Sequence, residues 1–323
     1  MNRGKNKVVS DKKKKGSSPD RPLKREEIDP SFCYPVIFPS PSFALSSSDV
    51  NSLIYENFQY SFQDNRLISS ITGQPYVFSD NYDAIGTYIA FYVQAQLQEL
   101  NLQQVWIPED QPTVNIFKSP DLFDNPNKLL IIIQGKGEVR PGQWSRKVCI
   151  NDNLDQGTMI PYIVQAFNLG YSILVLNPNI RKDPFTGKEI PINSTSQAHC
   201  NYVWEKIVKK TKAREIFVAA HSFGGVCAVN LIKNHSPFFK KRVKAIALLD
   251  SVHKTVSELN FDQRKYFQCV SKNWKKSPKP LSAPLAPTTE GCTCVSAGDT
   301  RHEYTSAAAI GDVFMFFNLK SGK

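Results

Sequence analysis

A serine hydroxyl attacks a carbonyl only when neighbours hold it exposed, take its proton and stabilise the oxyanion that forms. Three residues of this chain stand in an order that could do so: Ser222, Asp250 and His302. Ser222 lies in Ala220-His-Ser-Phe-Gly-Gly225, between the apolar run Ile216–Ala220 and a segment with helical patterning. A serine on a sharp strand-to-helix turn needs small residues two positions to either side, because larger side chains collide across the turn. Ala220 and Gly224 fill those positions, with alanine where glycine is usual. In acyl transfer His302 would take the Ser222 proton, and Asp250 would hold the imidazole tautomer and balance its charge. The Phe223 N–H is one candidate oxyanion donor; Gly135, in the turn Gln134-Gly-Lys-Gly137, is the other. Asp299 is a second candidate acid and His253 a second candidate base. Asp299 could equally cap the next helix, and His253 could equally pack locally.

All these residues follow apolar runs, at the strand ends where open parallel sheets carry functional groups. Leu129–Ile133 is a continuous apolar run of buried-strand type, and Gln134 ends it. Asp250 directly follows Val243–Leu249, and His302 lies just past Cys292–Ser296. Tyr171–Leu176 and Ile216–Ala220 read as further strands. Helical patterning lies near 159–168, 197–210, 224–234 and 304–317. The alternation predicts an α/β-hydrolase-like fold, a mostly parallel sheet with helices on both faces. A small unit precedes it. Phe58–Phe62 and Leu67–Ile71 flank a turn at Asp64-Asn65, Tyr76–Phe78 forms a third short run, and a helix covers 82–100. The expected organisation is a disordered basic tail at 1–55 and one domain at 56–319, with its hairpin and helix at 56–112 and its core sheet at 113–319. Residues 251–276 read as helical, with Lys265–Lys276 an amphipathic lid over the cleft.

Charge is uneven along the 323 residues. The net is +11, and residues 1–28 hold ten Lys/Arg against four Asp/Glu, so +6 sits in the tail and +5 elsewhere. A basic tail can bind nucleic acid weakly through its phosphates, and Lys12–Lys15 reads either as a nuclear import signal or as a solvated leader. No apolar run is long enough to span a bilayer, and no apolar stretch follows the basic start, so neither membrane insertion nor secretion is expected. Seven scattered cysteines suit a reducing compartment. Cys292 and Cys294 share a strand face but lack a second ligand pair in the sequence, so the expectation is two small packed thiols and no metal. Gly135-x-Gly137 lacks the rest of a dinucleotide fingerprint, so no cofactor is expected.

Several blocks resemble the argonaute-binding-protein-two domain family, also called family with sequence similarity 172, the cotranscriptional regulators. They are Asn125–Ile133 with Gly135-Lys-Gly137, Arg140-Pro-Gly-Gln-Trp144, Asp155–Thr158, Leu176-Asn-Pro-Asn179, Val218–Gly225, Leu249-Asp-Ser-Val-His253, Val295–Gly298 and Arg301-His-Glu303. The likeness spans about 58–317. It implies a hydrolase-like domain whose putative nucleophile matches Ser222, with Asp250 and His302 beside it. It also implies a role in the nucleus, with the cytoplasm as a second compartment. The expected partners are an argonaute protein, a chromatin remodeller or splicing factors, acting in heterochromatin, RNA-mediated silencing and alternative splicing. Gln134 stands where the family usually has histidine, the charged insertion after Asn-Pro-Asn is short, and a C-terminal retrieval sequence for the endoplasmic reticulum is missing. The resemblance carries no substrate. It leaves open whether the serine reacts or the elbow survives as a folding device.

Overall fold

The computed structural model describes residues 45–322 except 80, 112, 184, 185, 256 and 287–289. The basic segment 1–28, with its import and nucleic-acid readings, lies outside the described residues. The elements run α1 (Ser47–Phe58), β1 (Tyr60–Gln63), β2 (Arg66–Ser69), α2 (Tyr82–Glu99), β3 (Gln103–Ile107), β4 (Val114–Lys118) and β5 (Lys128–Ile133). There follow α3 (Arg146–Asn151), α4 (Leu154–Gly157), α5 (Ile160–Asn168), β6 (Tyr171–Val175), α6 (Ser196–Lys206), β7 (Glu215–His221) and α7 (Phe223–Arg242). The chain closes with β8 (Val243–Leu249), α8 (Phe261–Val270), β9 (Ser271–Lys275), β10 (Thr293–Ser296) and α9 (Thr305–Lys320).

Eight strands form one sheet in the order β10-β9-β8-β7-β5-β6-β4-β3. The run from β10 to β6 is parallel, while β4 is antiparallel to β6 and to β3. The central strands are apolar on both sides because helices cover both faces. Along β5, Leu129, Ile131 and Ile133 enter one core, with Trp204 of α6 and Phe239 of α7. Leu130 and Ile132 enter the other, with Tyr162 of α5 and Phe314 and Phe317 of α9. The same alternation divides β7 and β8 between the two cores. This is the period-two arrangement of a strand, repeated in register across the sheet centre.

The N-terminal unit has its own core. Val50, Ile54, Phe62, Leu67, Ile85, Tyr88 and Ile89 pack together and onto Cys149 and Ile150 of α3. Asp64 and Asn65 both take positive φ, which two-residue hairpin turns demand. Four expectations need correction here. The expected tail 1–55 overlaps α1, which starts at Ser47 because Ser46 and Asp49 form a capping box and Val50 and Ile54 bury. Tyr76–Phe78 forms no strand; Val77 and Phe78 are exposed. Residues 271–275 are strand rather than lid helix. β9 lies between β8 and β10, and its Trp274 is buried against Phe316. The helix after the elbow also runs past Asn234, to Arg242, with non-helical backbone at His235 just before Pro237.

Candidate active site

The elbow forms where β7 meets α7. Ser222 has φ 52° and ψ −115°, a backbone conformation that L-residues rarely hold without support from their surroundings. That support is specific. The Ser222 N–H donates to Leu249 O at 2.9 Å, and Ser222 O accepts from Gly225 N at 3.2 Å and Val252 N at 3.4 Å. Beneath the turn, a β-carbon on Gly224 would sit 2.5 Å from Ile133 O, so α7 begins against the end of β5 with only hydrogen between them. This close approach is the local reason for a glycine. Phe223 opens α7, where the first turn's N–H groups have no partner within the helix and face incoming negative charge. Gly135 borders the same space: a β-carbon there would lie 3.1 Å from Ser222 Cβ. Asn179 holds that turn by donating from Nδ2 to Gly135 O at 2.9 Å and Val139 O at 3.2 Å.

Asp250 follows β8 at φ 45° and is buried. Its N–H donates to Trp274 O at 2.8 Å, so β9, which the sequence hid, fixes the acid. Asp250 Oδ2 lies 2.6 Å from His302 Nδ1, and Oδ1 accepts from Lys276 N at 3.2 Å. Burial alone would raise the carboxyl's pKa. The hydrogen bonds from His302 and the Lys276 N–H outweigh it and hold Asp250 below the usual carboxylate range. With Nδ1–H given to Asp250, His302 Nε2 keeps its lone pair, the state a general base requires. Ser222 Oγ makes no hydrogen bond to His302 among the described contacts, and such contacts often tighten only when substrate enters.

The Arb2 domain matches residues 54–182 and 181–281 of this chain. The chain belongs to the Arb2 domain family. It is 33% identical over 330 residues to the cotranscriptional regulator ARB2A homolog of Gallus gallus, spanning 81% of this chain and 79% of that protein. Identity to the cotranscriptional regulator ARB2A of Homo sapiens is 33% over 333 residues, 82% of this chain and 80% of that one. Among solved structures, a histone deacetylase from Saccharomyces cerevisiae superposes with a TM-score of 0.51 at 14% identity, covering 74% of this chain and 98% of that chain. At that identity the likeness speaks to fold, here the α/β-hydrolase-like arrangement of a mostly parallel sheet between helices.

Within this Arb2 domain the two rival candidates go elsewhere. Asp299 is held by Arg301, with Oδ1 at 3.0 Å from Nε and Oδ2 at 2.8 Å from NH2, and it does not meet His302. His253 is buried, with Nδ1 2.8 Å from Ser251 Oγ and Nε2 3.1 Å from Glu290 O. Gln134 is buried behind the Gly135 turn, its Nε2 3.5 Å from Val139 O. His221 is the neighbour that motif spacing did not single out. Its ring centroid lies 4.6 Å from that of His302, the planes tilted by 37°, and it packs against Trp144. Nε2 donates to His302 O at 3.3 Å, so Nδ1 carries the lone pair, and that buried Nδ1 has no partner among the described residues.

Burial is the main cause that lowers the His221 pKa to about 4 and that of His199 to about 3. Both are neutral when folded and bind a proton on unfolding below about pH 6.5. Their contribution to stability is therefore complete above that pH and fades as pH falls toward 4. Urea denaturation is expected to show a loss on the order of a few kcal/mol between pH 7 and pH 4.5. A His199→Gln variant that still folds should lose much of that pH dependence. An unchanged slope would mean that the imidazoles are not the cause.

Proposed function

We propose that this chain works in the nucleus as a cotranscriptional regulator, an adaptor that brings an argonaute protein together with chromatin-remodelling or splicing factors. The observation that supports this reading is the shared third of residues with the ARB2A proteins, spread over about four fifths of both partners. Among the described residues no helix is long and apolar enough to cross a membrane. On this reading the elbow is retained because its hydrogen bonds join β7, β8 and α7, whatever its chemistry. Full-length protein used as bait in nuclear extract is expected to recover argonaute or splicing factors, and Ser222→Ala to recover them equally. Recovery of neither class would sink the adaptor reading.

A second reading has its own observation. The 2.6 Å Asp250–His302 contact and the strained Ser222 suit a serine ester or acyl hydrolase. His302 would take the Ser222 proton as Oγ attacks the acyl carbon, and the Phe223 and Gly135 N–H groups would meet the oxyanion. His302 would then pass the proton to the leaving group; in the second half it would take a proton from water as the water oxygen attacks the acyl carbon, and return that proton to Ser222 Oγ as the acyl–Oγ bond breaks. Weak nucleic-acid binding through residues 1–28 is a third reading, and deleting that segment should abolish it along with its salt dependence.

A further inference from the structure

The fold gathers a second chemical cluster beyond the loop that follows Asp250. His253 comes from the loop after β8, Glu290 and Cys292 from the approach to β10, and Cys294 from β10 itself. One donor atom each of His253, Glu290 and Cys292 lies within 4.8 Å of the others. Cys294 Sγ is 3.2 Å from Glu290 Oε2 and 3.7 Å from Cys292 O. Lys275 of β9 pairs with Glu290 Oε1, while Asn273 Nδ2 donates to Oε2 at 2.7 Å.

We propose that His253, Glu290, Cys292 and Cys294 form a structural site for a borderline-soft divalent cation, zinc by preference. Two sulfurs, one imidazole nitrogen and one carboxylate oxygen are a complete tetrahedral set. Thiolate and imidazole donors select zinc over magnesium or calcium. Tetrahedral zinc separates its donors by roughly 3.3–3.8 Å, so the His253–Glu290–Cys292 triangle bounded by 4.8 Å closes with shifts of about an ångström, while Cys294, outside that triangle and 3.2 Å from Glu290 Oε2, must turn its thiol inward to become the fourth donor. The charges also close. Two thiolates and one carboxylate carry −3, and the cation with the Lys275 ammonium carries +3. Lys275 can keep Oε1 while the cation takes Oε2. Ser251 Oγ supplies the outer contact: with Nδ1–H donated to it, His253 Nε2 is left to bind, replacing its present contact with Glu290 O.

Without a cation the same crowding works against the anions. The Cys294 contact, burial and the Glu290 charge hold the Cys292 thiol well above its ordinary pKa. Binding would release those thiol protons to solvent, so affinity should rise with pH. Four protein ligands leave no open position, which marks a stapling rather than a catalytic ion. It would tie the excursion between β9 and β10 to the loop that leaves Asp250. Neither the adaptor nor the hydrolase reading is needed for this, so its test stands apart from theirs.

The test uses reduced full-length protein freed of metal by a chelator, titrated with cobalt and then with zinc against a chromogenic competitor. The expected results are one ion per chain, a thiolate-to-cobalt absorption band with intense visible bands, displacement of cobalt by zinc, and a zinc-dependent rise in Tm. Cys292→Ser, at a partly exposed position, should lower the sulfur-derived absorption to that of a single thiolate and weaken zinc binding at least about tenfold, the loss typical of even an outer-shell change. Cys269→Ser, at an exposed cysteine elsewhere, should bind as the natural chain does. Absence of zinc binding and of a Tm rise in the natural chain would overturn the proposal, whatever the variants do. So would undiminished binding by Cys292→Ser.

Discussion

Replacing Gly224 with valine is expected to cost more than about 3 kcal/mol, the upper part of the overpacking range. The first carbon of the new side chain would meet Ile133 O at 2.5 Å and Gln134 O at 3.0 Å. Both obstacles are backbone at the end of the central strand β5, so no rotamer relieves them. Relief requires α7 to lift from the sheet, which would pull Ser222 N from Leu249 O and Gly225 N from Ser222 O. For a domain of this size, 3 kcal/mol corresponds to a fall of roughly 6–12 °C in Tm. Gly225→Ala offers a graded comparison. Its β-carbon would lie 1.9 Å from Ser251 Oγ, 2.7 Å from Ser251 Cβ and 3.0 Å from Leu248 Cδ2, all side-chain atoms, so turning the Ser251 hydroxyl at the cost of its His253 hydrogen bond and a small shift of the loop after β8 relieve the strain without moving the central strand. Thermal melts should rank the natural chain above Gly225→Ala and that above Gly224→Val. A Gly224→Val protein as stable as Gly225→Ala would show that the helix start is not clamped to β5.

The same clamp explains what could be read from residues alone. Small residues around Ser222 announce a close approach, and apolar runs at 129–133, 216–220 and 243–249 announce strands covered on both faces. The opposite holds for β9. Ser271-Lys-Asn-Trp-Lys275 has one large apolar residue, and its Asn273 is buried for hydrogen bonding rather than for hydrophobicity. Composition therefore gave no sign of a strand, although that strand holds Asp250 in place. Helix α1 was hidden differently: its serine-rich start looks like a linker until Ser46 and Asp49 are seen to cap each other. The His253–Glu290–Cys292 cluster brings His253 to a pair of residues at least 37 positions further on by way of the sheet, a distance that spacing rules for metal ligands do not cover. His221 carried a signal, its place beside Ser222, but its ring contact with His302 depends on where residue 302 returns to the sheet.

The second large effect concerns Asp250. A fluorophosphonate forms a bond from phosphorus to an activated serine oxygen as fluoride departs, and a base must take the serine proton. If the cleft has hydrolase chemistry, Ser222→Ala abolishes labelling and Asp250→Asn slows it by about 10⁴-fold, the scale for a triad aspartate made neutral. The reason is tautomeric. Asp250 Oδ2 accepts from His302 Nδ1 at 2.6 Å, and an asparagine amide placed there would donate instead, forcing the proton onto Nε2, where the serine needs a lone pair. The backbone should hold, because Asp250 N still reaches Trp274 O and Lys276 N still finds an amide oxygen. The stability change should instead appear with pH. A carboxyl held below its unfolded pKa stabilises the fold above about pH 4 and loses that contribution as the pH falls through the folded value. Asp250→Asn should therefore flatten the acid limb below pH 4 while leaving the imidazole-driven loss nearer pH 6 in place. Labelling rates of the natural chain, Ser222→Ala and Asp250→Asn, each checked for folding by circular dichroism, decide the matter. A folded natural chain that takes no label excludes the hydrolase reading. Equal labelling of the natural and Asp250→Asn chains would mean that the short Asp250–His302 contact serves the fold alone.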